Sequence, residues 1–148
     1  MHHLSDLLNN HLIINSLAAW AAAQVLKTII YAVAQKKWDW ERLFGDGGMP
    51  SGHSATVTAL SVTAGIEYGL GSAPFAISAI LATVVMHDAM GVRLEAGKHA
   101  KALNELMNMV SSKDLTPDDK LKELLGHTPL QVCFGALLGL AMALLLSL

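Results

Sequence analysis

An all-α integral membrane bundle, with about four spanning helices and short amphipathic helices between the third and fourth spans, is the fold class this sequence predicts. Two observations lead there. Apolar residues make up 53% of the 148 positions while aromatic residues make up only 5%, and the mean hydropathy of +0.43 exceeds what a water-soluble globule carries. No stretch alternates polar and apolar residues with period two over a useful length, so no strand competes with the helical pattern. The length fits a single membrane-embedded domain, residues 1–148.

Four apolar stretches are long enough to consider as spans: Leu12 to Gln35, Ser54 to Leu70, Pro74 to Val92 and Pro129 to Leu148. Only the last carries no charged residue or histidine. The first contains Lys27, the third contains His87 and Asp88, and the second is rich in Thr, Ser, Ala and Gly, which permit close helix approach but lower hydropathy. A soluble helical bundle is therefore the competing architecture. Met1 to His11 lacks the basic stretch and small-residue cleavage pattern of a secretory signal, so the first span is expected to stay as an uncleaved helix.

Punctuation supports these limits. Pro74 follows Gly71-Ser72-Ala73, and Thr128-Pro129 reads as an N-cap followed by first-turn proline, with Gly126 ending whatever precedes. Between the third and fourth spans, Leu103, Leu106, Met107 and Val110 recur at helical spacing. Thr116-Pro117 opens a second short helix carrying Leu121, Leu124 and Leu125. These helices are expected on the membrane surface or against the bundle, joined by a mobile loop at Ser111 to Asp114.

Charge sets the orientation. Lys36, Lys37 and Arg42 follow the first span, and Arg93, Lys98, Lys101, Lys113, Lys120 and Lys122 lie between the third and fourth, which makes both loops cytoplasmic. The connection Gly69 to Ala73 is uncharged and faces the other side. His53, Arg93, His127 and Lys27 then gather at the cytoplasmic end of the bundle. The net charge of −2 gives no reason to expect a nucleic-acid partner, and the single cysteine, Cys133, allows no intrachain disulfide.

Phosphate chemistry is what such a cluster suits. A helix N-terminus offers unpaired N–H groups and a positive dipole end, and both His53 and His127 stand at one. Gly47, Gly48 and Gly52 allow backbone approach to an anion, and Ser51 adds a hydroxyl. His127 and Gln131 share a helix face, so the Gln131 amide oxygen can hold one ring proton and leave the other nitrogen free to attack. Lys27 and Arg93 supply positive charge to phosphoryl oxygens, with Asp88 placed to orient Arg93.

Each residue also has a plainer reading. His127 can be an interfacial histidine, His53 a solvent-facing residue of a turn capped by Ser51, Lys27 a snorkelling lysine, Arg93 a topological anchor and His87 an interfacial residue. Gly135 and Gly139 form a small-xxx-small pattern that serves contacts within the chain or between copies, which keeps a homo-oligomer open.

As a set, Ala23-Gln24-Val25-Leu26-Lys27, Gly47 to Ala55, Asp88 to Arg93 with Gly97 and Leu103-Asn104, and Gly126 to Gly139 resemble the divergent branch of the type 2 phosphatidic acid phosphatase superfamily. Its members are membrane proteins called acid phosphatase/vanadium-dependent haloperoxidase-related. The resemblance implies a phosphohistidine mechanism in which the histidine of a His-xxx-Asp-Val-xx-Gly motif attacks and that of Pro-Ser-Gly-His donates a proton, matched here by His127 and His53. Gln131 stands where the superfamily has the orienting aspartate. No Arg-Pro follows Lys27 at the expected spacing, and Lys120 or Lys122 occupies the region of the third-motif arginine, whose role Arg93 is positioned to assume.

The expectation is a phosphatase or phosphotransferase acting on a phosphorylated lipid or small phosphate ester, with no cofactor and no metal. Catalytic roles fall to His127, His53 and Gln131, phosphate binding to Lys27, Ser51, Gly52 and Arg93, and support to Asp88. Gly/Ala/Thr-rich walls of the second and fourth spans are expected to leave room for an acyl or isoprenoid tail. The expected location is the bacterial inner (plasma) membrane, with the site at the cytoplasmic face. A noncatalytic protein that binds a phosphorylated lipid headgroup is the alternative. A metal site from His53, Asp88 and His127 is a third and weaker reading, because no pair has close ligand spacing.

Overall fold

The computed structural model describes residues 2–38, 40, 48–110, 121 and 126–147. Six helices follow in order: α1 (His2–Leu8), α2 (His11–Gln35), α3 (Gly52–Tyr68), α4 (Ala73–Met90), α5 (Val92–Val110) and α6 (Pro129–Ser147). No strand occurs among the described residues. Helix α1 is a short element for which the sequence pattern supplies no signal. The second short helix expected after Thr116 and the loop at Ser111 to Asp114 fall outside the described residues, apart from Leu121.

Local sequence starts and stops these helices. Side chains of Asn10, Ser51 and Ser72 accept from the backbone N–H of Ile13, Ser54 and Phe75 at the openings of α2, α3 and α4. Helix α2 ends at Lys36, whose φ of 52° is left-handed. Gly91 breaks the path between α4 and α5, while its N–H still donates to the His87 carbonyl at 2.9 Å.

Helix α3 lies at the centre, packed against α2, α4 and α6. Ala19, Ala23, Ala55, Ala59 and Ala143 form the innermost cluster, with Val62, Leu138 and Met142 against it. Small side chains let the helix axes approach. The large apolar residues point the other way: Ile77 is 70% exposed, Val33 75% and Leu145 75%. In water such a surface would drive aggregation, whereas in lipid it is the required exterior, with close small-residue packing inside.

Helices in the ranges His11–Gln35, Ala73–Val110 and Pro129–Ser147 are long and apolar enough to cross a membrane. The fold is thus an all-helical membrane bundle. The sequence expectation of about four spans counts α3 as well, but at 17 residues α3 is shorter than these three. Its central position explains its composition: a helix covered by three neighbours need not be apolar all round. Helix α5 is amphipathic, but Leu103, Leu106, Met107 and Val110 are exposed rather than packed on the bundle. Asn104, on its buried side, accepts from the Leu121 N–H and donates to the Leu121 carbonyl, both at 2.9 Å.

Candidate functional site

The start of α3, the start of α6 and the end of α4 meet at one end of the bundle. Two glycines make the first contact. A Cβ on Gly135 would overlap the Ser51 carbonyl oxygen and come within 2.9 Å of the Ser54 Cβ, and a Cβ on Gly139 would overlap the Ala55 carbonyl. The small-xxx-small pair therefore serves packing inside the chain. It also closes the α3–α6 interface where a tail-binding cleft was expected. The space lies elsewhere, in a cavity of about 180 Å³ lined by Lys27, Ile30, Tyr31, Ala34, Gly48 and Met49.

Ser51 is fully buried. Its N–H donates to the Gln131 carbonyl at 3.1 Å, and its Oγ accepts from the Ser54 N–H at 3.3 Å and the Ser54 hydroxyl at 3.0 Å. The capping role is the one realised, and an oxygen that accepts in both bonds keeps its own proton to donate. Gly52 is buried at the first turn, where N–H groups lack partners within the helix. A Cβ there would make only ordinary contact with Trp20, at 3.5 Å.

His127 is 5% exposed. Its N–H donates to the Ala89 carbonyl at 2.9 Å, which ties the entrance of α6 to the end of α4. Gly126, at φ +81°, makes the turn possible, and a Cβ on it would lie 2.7 Å from the Arg93 carbonyl carbon. Gly126 is thus laid directly on the Arg93–Leu94 backbone. His127 Nδ1 lies 3.3 Å from Gln131 Oε1, and that same oxygen accepts from the Thr128 N–H at 3.1 Å. Thr128 Oγ1 in turn accepts from the Gln131 N–H at 3.4 Å, which completes a reciprocal capping box. The Thr-x-x-Gln spacing is a sequence signal for this box that reading Thr128 and Pro129 alone overlooks.

The two imidazoles face each other across this junction, with ring centroids 6.1 Å apart and planes inclined at 59°. His53 is exposed and His127 buried, so one ring meets solvent and the other the interior. When Nδ1 of His127 carries the ring proton, Gln131 Oε1 is placed to accept it.

Lys27 is buried at 6% exposure, and a Cβ on Gly48 would lie 3.2 Å from its Cγ. Its stem therefore packs on the turn before α3. Arg93 is exposed, and its Nε donates to Asp88 Oδ2 at 2.6 Å. Asp88 thus restrains Arg93, as the sequence suggests, while the terminal guanidinium nitrogens keep their donors. His87 is exposed, and its carbonyl belongs to the α4 cap. Among the described residues no three His, Cys, Asp or Glu side chains group as a cation site. Gly47, Lys120 and Lys122 lie outside the described residues.

One feature escapes sequence pattern altogether. Gln24, 7% exposed and one turn from Lys27, has an amide oxygen with no hydrogen-bond partner. The spacing of Gln24, Lys27 and Tyr31 puts a polar stripe on one face of α2 but does not reveal the missing donor.

Comparison with known proteins finds relatives of this sequence. The model of a family described as Divergent PAP2 family matches residues 8–142. An uncharacterized membrane protein of Bacillus subtilis, YuiD, is 42% identical over 153 aligned positions, which cover 96% of this chain and 97% of the relative. No solved structure matches the chain.

Proposed function

Since the chain belongs to the Divergent PAP2 family, we propose that it is a membrane-embedded phosphatase or phosphotransferase that works on a phosphate ester through His127. The observation that carries this reading is the 6.1 Å separation of the His53 and His127 rings at a helix N-terminus. Two rings about 6 to 8 Å apart accommodate a phosphoryl group between hydrogen-bonding partners. The two histidines lie 74 residues apart in sequence, so tertiary packing and not local helix geometry brings their rings together.

The chemistry follows from the hydrogen bonds. Nε2 of His127 attacks phosphorus, forming a P–N bond as the P–O bond to the leaving alcohol breaks, and His53 gives that oxygen its proton. His53, now neutral, takes a proton from water, whose oxygen attacks phosphorus and breaks the P–N bond. Phosphate leaves and both rings return to their starting states. Lys27, Arg93, the Ser51 hydroxyl and the first N–H groups of α3 stabilise negative charge on the phosphoryl oxygens. Gln131 orients the His127 ring, but an amide does not offset developing imidazolium charge as a carboxylate does.

A phosphorylated lipid is the substrate class we favour. The apolar cavity beside Lys27 is suited to the first part of a tail, and the exposed Trp38 and Trp40 mark an interfacial level at this end. Lys36 and Lys37 after α2, with Arg93, Lys98 and Lys101 beyond α4, favour the cytoplasmic face of the membrane. The second reading, a noncatalytic headgroup-binding protein, is favoured by one observation: the capping box fully accounts for Gln131.

Phosphate release from phosphorylated lipids and from p-nitrophenyl phosphate, with and without vanadate, separates the two. Turnover inhibited by vanadate and lost in His127→Ala and His53→Ala supports the enzyme. Wild-type turnover that survives both substitutions removes it, and retained phospholipid with no phosphate release across the panel favours the binding protein.

A further inference from the structure

The buried Gln24 oxygen has a position as well as a missing partner. On α2, Trp20 lies against Gly52 and Lys27 against Gly48, and Gln24 stands on the same face between them, one turn from each. It is therefore directed at the turn Met49 to Ser51, where Pro50 and Ser51 are buried and α3 presents its N-terminal N–H groups. Everything else there suits negative charge: the helix end, the Lys27 ammonium and the Ser51 hydroxyl. A carbonyl oxygen does not. It repels a bare anion and remains costly until a donor reaches it.

A phosphoryl group can supply both requirements. The second ionisation of a phosphate monoester lies at a pKa of about 6, and that of orthophosphate is nearby, so a P–OH persists beside anionic oxygens near neutral pH. Sulfate and sulfate esters have the same tetrahedral shape but carry no proton. We propose that Gln24 is a specificity-determining residue of this site, whose Oε1 accepts a hydrogen bond from the P–OH of a protonated phosphoryl group. The inference rests on the phosphate-site reading above and adds to it the protonation state of the ligand. It assigns Gln24 to substrate contact, where its unpaired oxygen is satisfied only when the site is filled.

The test measures binding of inorganic phosphate and of sulfate to the full chain in detergent micelles, for wild type, Gln24→Met and Gln24→Leu. Wild type should prefer phosphate. Both substitutions should lower phosphate affinity by about tenfold to a hundredfold, as loss of a hydrogen bond to a charged group does, and should leave sulfate affinity unchanged or improved. Met matches Gln in length without its acceptor, so ligand-free Gln24→Met should melt at or above the wild-type temperature. Dioctanoyl phosphatidic acid is the third ligand: the same Gln24 dependence with displacement of phosphate assigns the P–OH to a lipid headgroup, and without displacement to free phosphate, both in support.

Equal losses for phosphate and sulfate would overturn the proposal, because the amide would then be donating. So would a Gln24→Met protein that melts lower and keeps its phosphate preference. A wild type that binds neither anion removes the phosphate-site reading itself, whereas phosphate preference independent of Gln24 removes only this inference.

Discussion

At the end of the bundle where α3 turns into α4, Asn15 of α2 gives its amide N–H groups to Thr63 of α3 at 3.2 Å and Ser147 of α6 at 3.0 Å. At the opposite end Gln24, on the same helix and almost as deeply buried, keeps an oxygen without a donor, while two tilted imidazoles stand 6.1 Å apart. The first arrangement joins three helices with paired groups. Nearby, exposed His11 also meets Glu67, at 2.7 Å. The second leaves an acceptor unpaired, at a cost of about 1–3 kcal/mol. On the function proposed above, the contrast sets an end whose buried polar groups are paired within the fold against an end whose unpaired acceptor awaits a ligand.

The most severe way to break the contrast is to push α6 off α3. Gly139→Val places a branched side chain where even a Cβ overlaps the Ala55 carbonyl, and overpacking of this kind costs about 3 kcal/mol. Detergent-solubilised protein should unfold well below wild type, with both ends lost together. Asn15→Leu sharpens the comparison. It removes the donor shared by Thr63 and Ser147, lowers unfolding stability by about 1–2 kcal/mol, and leaves anion binding at the far end intact.

Gln131 separates capping from chemistry. Gln131→Leu loses the capping oxygen, at about 1 kcal/mol, and removes the amide contact to His127 Nδ1. Gln131→Glu keeps the capping geometry and adds a carboxylate beside the imidazole, so stability should hold while phosphate release rises by about tenfold or more. Thermal melts and initial rates on the same preparations distinguish the two effects. Smallest of all is Asp88→Asn, which cuts an exposed pair worth less than about 1 kcal/mol, leaves the melt unchanged and weakens phosphate affinity only as far as the Arg93 side chain loses its restraint.

Much of the fold is legible in the sequence, because lipid and helix ends both impose local rules. Ser51, Ser72 and Thr128 mark helix starts, Gly126 takes a left-handed turn, and three long apolar runs become three long helices. Helix α3 is harder to classify: buried by three neighbours, it has little lipid-facing surface to write into hydropathy. The role of Gly135 and Gly139 is likewise ambiguous until the partner backbone is known, since close approach within a chain and between copies demands the same residues. The exposed stripe Leu103, Leu106, Met107 and Val110 reads correctly as amphipathic, but its neighbour is not coded in its own spacing.

The candidate site divides similarly. Helix periodicity places His127 beside Gln131, and topology brings His53 to the same end. Arg93 is the instructive case. Its exposed bridge to Asp88 is what the spacing of the two residues suggests, whereas the close approach of its backbone to Gly126 is set by tertiary packing that no spacing encodes. The unpaired oxygen of Gln24 is illegible for a related reason: pairing is a property of everything around the atom.

The central claim is that His127 receives the phosphoryl group. The most direct measurement is peptide mapping by mass spectrometry after alkaline quench during turnover of a phosphorylated lipid, a condition under which a P–N bond survives. The account predicts one phosphoryl group on His127, increased in His53→Ala if release of the leaving group still proceeds and water attack is slowed, and absent in His127→Ala. Phosphate release with the label on another residue, or with no labelled histidine under conditions where a phosphohistidine standard survives, would contradict it.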